Sequence, residues 1–217
     1  MQKKKHTLIG FFSLTAIGFG SLSILLFATE EPRERTIMND PRRDMITTLE
    51  ARGPHASLGD QAKTFDRFVG TWDCDYATFK EDGATEHAEG EVVFGWVLDG
   101  RAVQDIWTWI EKDSTGERKL GTTVRFFDPK IGKWRIIWID PVSPAIKLLT
   151  GGAVGDRIVL EGTADDGLRK RWSFSEIRND SFIWRGEKSR DAGKTWRLTD
   201  EYHLKRRSAA PSQNVKR

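Results

Sequence analysis

Three runs near the C-terminus, LRKRWSFSE (168–176), SFIWRGEK (181–188) and TWRLTDEYHLKR (195–206), set bulky apolar residues at every second position. A period of two marks a strand with one face in a core. Trp172 and Phe174 oppose Arg169, Arg171 and Ser173, while Phe182 and Trp184 oppose Arg185 and Glu187. In the last run Trp196, Leu198, Tyr202 and Leu204 oppose Arg197, Thr199, Glu201 and His203. Asn179-Asp180 and Asp191–Gly193, between the runs, carry the residues of tight turns. A slip of one residue would turn each aromatic set into water, so the register is strongly specified.

Upstream the pattern repeats. Runs at 72–79, 85–98, 101–111, 120–127, 133–140, 146–152 and 157–162 are separated by turn residues such as Glu81-Asp82-Gly83, Asp99-Gly100 and Asp128–Gly132. Nothing between them reads as a long amphipathic helix, which excludes parallel βαβ units. The whole reads as an all-β, about ten-stranded antiparallel up-and-down barrel, since so many hairpins need closure to hide their edges. Leu58, Ala62, Phe65 and Val69 recur at helical spacing and predict a short helix capping one end. Before it, residues 30–57 form a polar linker with a short helix over 41–52, opened by Asp40-Pro41 and closed by Gly53-Pro54. The barrel domain is expected over 58–207 and a disordered tail over 208–217.

Lys3, Lys4 and Lys5 precede Thr7–Ala28, 22 residues without a charge. That length crosses a bilayer as a helix, so residues 1–29 read as a signal anchor or a signal peptide. Lysines on the inner side send the rest of the chain out, and an extracytoplasmic, membrane-tethered domain is the expectation. Residues 59–204 hold 22 bases and 26 acids, so the high isoelectric point comes from the chain ends, and no nucleic-acid partner is expected. The single cysteine, Cys74, excludes an intrachain disulfide, and no Cys/His cluster has zinc spacing.

Gly70-Thr71-Trp72 at the first strand, with Arg206-Arg207 closing the last, resembles the signature of the calycin superfamily, which holds lipocalins and fatty-acid-binding proteins. Val97–Arg101, Arg125–Asp128 and Lys133–Arg135 resemble lipocalin-like domains of bacterial proteins. The resemblance implies that Trp72 lies at the closed base with Arg206 or Arg207 packed over its ring. Ten strands are also similar to nitrobindin, a haem-binding member of the fold. That likeness would take an axial ligand from His203, but the alternation puts His203 on the face opposite the aromatics. No cofactor is therefore expected. Ser189–Trp196 fits an Asp-box hairpin, and with one copy it reads as a structural turn.

Trp72, Tyr76, Trp107, Trp138, Trp172, Trp184 and Tyr202 are the candidate ligand-binding residues, with Trp109 and Trp196 among the other indoles of the same pattern. A ten-stranded bore exceeds what side chains fill, so an aromatic cup for a small hydrophobic or aromatic ligand is expected. Asp105, Arg125, Asp140 and Asp200 are the polar interior candidates, as ion pairs near a rim or as proton-moving groups. Two alternatives stay open. One is a calycin-fold enzyme of cyclase or isomerase type, as in allene oxide cyclase; the other is an envelope interaction module without a small ligand. No catalytic motif is present, and Cys74 has no basic neighbour in sequence.

Overall fold

The computed structural model describes residues 41–111, 118–164 and 166–208. The apolar segment Thr7–Ala28, the linker before 41, residues 112–117 and the tail from 209 lie outside the described residues. No described helix is long and apolar enough to cross a membrane.

Helix α1 (Pro41–Leu49) ends three residues earlier than its sequence predicts. Glu50–Ala51 instead forms a short strand, β1, paired antiparallel with Val97 and Trp96. The segment is thus tied to the barrel, and His55 N–H donating to the Gly100 carbonyl (2.8 Å) continues that attachment. A 3-10 turn (Ala56–Ala62) runs into one turn of helix, α2 (Lys63–Asp66).

Ten antiparallel strands follow in a meander: β2 (Gly70–Phe79), β3 (Thr85–Val97), β4 (Ala102–Glu111), β5 (Arg118–Asp128) and β6 (Lys133–Asp140), then β7 (Ala145–Val154), β8 (Arg157–Thr163), β9 (Arg169–Ser175), β10 (Ser181–Ser189) and β11 (Arg197–Arg206). Each pairs with its sequence neighbours, and β2 pairs with β11 to close the ring. Closure leaves β2–β11 without a free edge.

The alternation holds except in one place. The β10–β11 register shifts between Gly186 and Glu187, where Asp200 pairs Gly186 but Leu198 pairs Glu187. Thr199 is the extra residue of this bulge, and a bulge reverses the facing of everything before it. Leu198 therefore shares the outer face with Glu187, and Trp196 lies outside under Arg171, whose guanidinium carbon is 3.8 Å from the ring centroid. The strict period places both side chains inside; the bulge turns them out.

The interior divides along the barrel axis. At one end Phe65 and Phe68, both fully buried, reach in from α2 and the residues after it. Phe65 meets Trp134 edge-on at 4.9 Å, and Phe68 meets Phe182 at 4.7 Å. Burying a ring of this size contributes about 1.5–3 kcal/mol. Trp96 Nε1 donates to Asp66 (2.8 Å) and pins α2 over this end. The opposite end is open and lined by indoles.

Candidate functional site

The closed end is built around Trp72, which is fully buried. Its Nε1 donates to the Phe68 carbonyl (2.6 Å), and the Arg206 guanidinium carbon stands 4.1 Å above its ring. Arg206 also donates to the carbonyls of Val69 (2.7 Å), Arg67 (2.6 Å) and Asn179 (2.8 Å), stitching the entry to β2 against the turn before β10. Gly70 (φ 124°) makes room, since a Cβ there would sit 2.8 Å from Arg206 Nη1. Arg207 does not share this role; it turns outward to Asp73 and Glu91. Trp72 lies outside the lining of the open cavity, so its listing among ligand-contacting indoles is corrected to the base alone.

Above the base, Arg125 and Asp105 form the floor. They are 1% and 0% exposed, and Arg125 Nη2 lies 2.6 Å from Asp105 Oδ2. The approach is off-line for a directed hydrogen bond, so charge holds the pair. Asp105 Oδ1 also accepts from the Thr123 N–H (2.9 Å). The guanidinium carbon is 5.2 Å from the ring of Phe65, 5.4 Å from Phe94 and 5.9 Å from Phe174. Those π faces surround Nε and Nη1, which have no hydrogen-bond partner among the described residues.

The cavity over this floor has a volume of about 230 Å³. Tyr76, Trp107, Trp138, Trp172, Trp184 and Tyr202, all expected from sequence, line it together with Trp109. Trp184 and Tyr202 stack at 4.7 Å with their planes 17° apart, and Trp107, Trp172 and Trp138 continue the ring wall. Gly121 is what lets Trp138 lie flat across the wall: a Cβ there would come within 2.4 Å of the indole. Burial raises the Tyr76 and Tyr202 phenols, the latter with help from the Asp200 charge, so both stay protonated.

Polar groups sit at the mouth. Asp200 Oδ1 accepts from Thr78 (3.2 Å) and Tyr202 (3.1 Å). Asp140 Oδ1 accepts the N–H groups of Val142 (3.0 Å) and Ser143 (2.9 Å), so it caps the β6–β7 turn. Lys147 Nζ lies 5.8 Å from the Trp172 ring centroid. Lys147, Thr78, Thr123, Glu86 and His87 line the cavity and were missed by a reading that followed aromatics. For Lys147 the signal was present, because it pairs with Trp138 and shares its face. The described residues contain no cluster of groups able to hold a metal ion. Cys74 is buried on the inner wall, where burial raises its thiol above the ordinary range. His203 stands on the outer wall, its Nε2 2.9 Å from Glu201 Oε1.

The closed ten-stranded antiparallel meander, with an arginine from the last strand stacked on a Gly-x-Trp indole at the first, has the fold of a lipocalin-like barrel. No protein-family model and no curated protein matches the chain. Solved structures do. The S-type phycobiliprotein lyase CPES from Guillardia theta is 14% identical, with 68% of this chain and 93% of that one covered and a TM-score of 0.52. Rv2717c from M. tuberculosis is 17% identical over 71% of this chain and 99% of its own, with a TM-score of 0.49. At 14% identity the likeness to the lyase speaks for the fold alone.

Proposed function

We propose that the barrel is a binding protein for a small apolar or aromatic molecule, held in the tryptophan cup. The observation that carries this is the open, indole-walled cavity above a fully packed base. At about 230 Å³ it offers space for roughly eight waters. Stacked indoles favour a flat ring system over an alkyl chain. A haem ligated by His203 is no part of this reading, because that side chain faces away from the cup. The lysines and apolar run of residues 3–28 support delivery of the barrel across a membrane and tethering there.

Titration of the full chain with 1-aminoanthracene, a neutral tricyclic probe, tests the reading through quenching of tryptophan emission. Trp184→Ala and Trp172→Ala are expected to weaken binding about 5- to 150-fold, as loss of 1–3 kcal/mol of stacking does. Trp196→Ala, which removes an indole from the outer wall, leaves affinity unchanged. Equal affinity in all three variants, or no binding by the parent protein, refutes the cup.

A further inference from the structure

The outer wall of the barrel is divided by chemistry. Over β8–β11 it is charged and cross-linked: Arg171 pairs Glu161 (2.9 Å) and Arg185 pairs Glu201 (2.6 Å). Over β3–β7, between outward Glu91 on one side and Arg135 on the other, two rows are uncharged where an outward face should be polar. The strand register lays Val93, Ile106, Thr122 and Ile139 in one row across four strands. Val124, Ile137 and Leu148 form the next. Ile106 is 46% exposed, Ile139 42%, Leu120 41%, Phe126 37%, Val93 39% and Leu148 60%. Even the polar side chains here answer each other: Gln104 donates to the Thr122 hydroxyl (2.9 Å), which donates to the Asp105 carbonyl (2.6 Å).

We propose that this face is the two-fold interface of a homodimer, apposing the β3–β7 walls of two copies. The size fits that occupant. Those six exposed side chains present roughly 500 Å² of apolar surface, and a stable homodimer buries about 800 Å² per partner, some 65% of it apolar. Shape fits as well. A sheet face of β-branched and aliphatic residues packs against its own copy as the two sheets of a sandwich do. A two-fold axis brings the same uncharged rows together with no charge to match. The charged wall is left facing water.

Sedimentation velocity of the full chain in mild detergent tests this. The parent protein is expected to sediment as a dimer, and the Ile106→Glu/Ile139→Glu variant as a monomer with an unchanged far-ultraviolet β spectrum. Ile106→Gln, a milder change, is expected to raise the dissociation constant at least tenfold and keeps the test valid if the double variant fails to fold. A monomeric parent protein overturns the proposal. So does a dimer that survives the substitutions, which would place association elsewhere, for instance in Thr7–Ala28. Probe binding in the cup is a separate readout, so failure here leaves the proposed function standing.

Discussion

Replacing Asp105 with alanine leaves Arg125 charged, 1% exposed and without a carboxylate. Removing one member of a buried pair costs about 3–5 kcal/mol, mostly as the penalty on the charge that stays. The Thr123 N–H, now bonded to Asp105 at 2.9 Å, loses its acceptor and adds about 1 kcal/mol. Against this the rings of Phe65, Phe94 and Phe174 keep holding the guanidinium, offsetting about 1–2 kcal/mol. The net expectation is a loss of about 3–4 kcal/mol in urea denaturation, or roughly 6–16 °C in melting temperature at this chain size. The decisive comparison is Asp105→Ala/Arg125→Met, which removes the stranded charge and fills its space with an apolar chain. It is expected to be about 2 kcal/mol more stable than Asp105→Ala alone, a strong departure from additivity. Additive losses, or a single-variant loss under 1 kcal/mol, would refute the view that charge burial governs the floor.

At the base, Arg206→Lys keeps the charge but loses the planar stack on Trp72 and the fork to three carbonyls, so urea denaturation should show a loss of about 2 kcal/mol with probe affinity unchanged. In the β10–β11 turn, bonds from the Thr195 hydroxyl and N–H and from Ser189 hold Asp191 down to about 2, from 3.8. Its stabilisation is therefore full above pH 3.8 and fades as pH falls through 2; melting curves of the parent and Asp191→Ala should differ at pH 5 and converge toward pH 2. In the cup, Ala88→Leu fills empty space, and the expected outcome is about 1 kcal/mol of added stability with probe binding at least tenfold weaker.

Strand order and closure were legible because the alternation is nearly unbroken and every hairpin carries its own turn residues. The stacked base was legible only through a resemblance, in which Gly70-Thr71-Trp72 and the pair Arg206-Arg207 imply a cation over the indole without saying which arginine supplies it. Trp196 and Leu198 were misplaced for a physical reason: a bulge at Thr199 is set by backbone pairing across β10 and β11, and a one-dimensional period does not contain it. Choosing Arg206 over Arg207 needed the third dimension too, because neighbours on a strand face opposite ways and both are arginine. The join of Asp105 to Arg125 likewise depends on β4–β5 register, in which Val103 pairs Arg125 and Asp105 pairs Thr123.

The open space belongs to the sequence as much as the walls do. Inward positions near the base carry Phe94, Val103, Ile136, Leu149, Ile158 and Leu204, all buried and packed. Toward the mouth the inward positions alternate indoles with Ala88, Gly121, Thr123 and Gly186. A Cβ on Gly186 would stand 2.9 Å from Asp200 and 3.0 Å from Trp184. Large rings separated by missing side chains cannot close on one another, because each is held stacked or tilted against its neighbours. A void of this kind forfeits dispersion contacts along its whole lining. The packed base and the buried floor pair sit below it, so that loss falls where the barrel no longer needs the contacts to stay closed. Stability is concentrated at one end and room at the other.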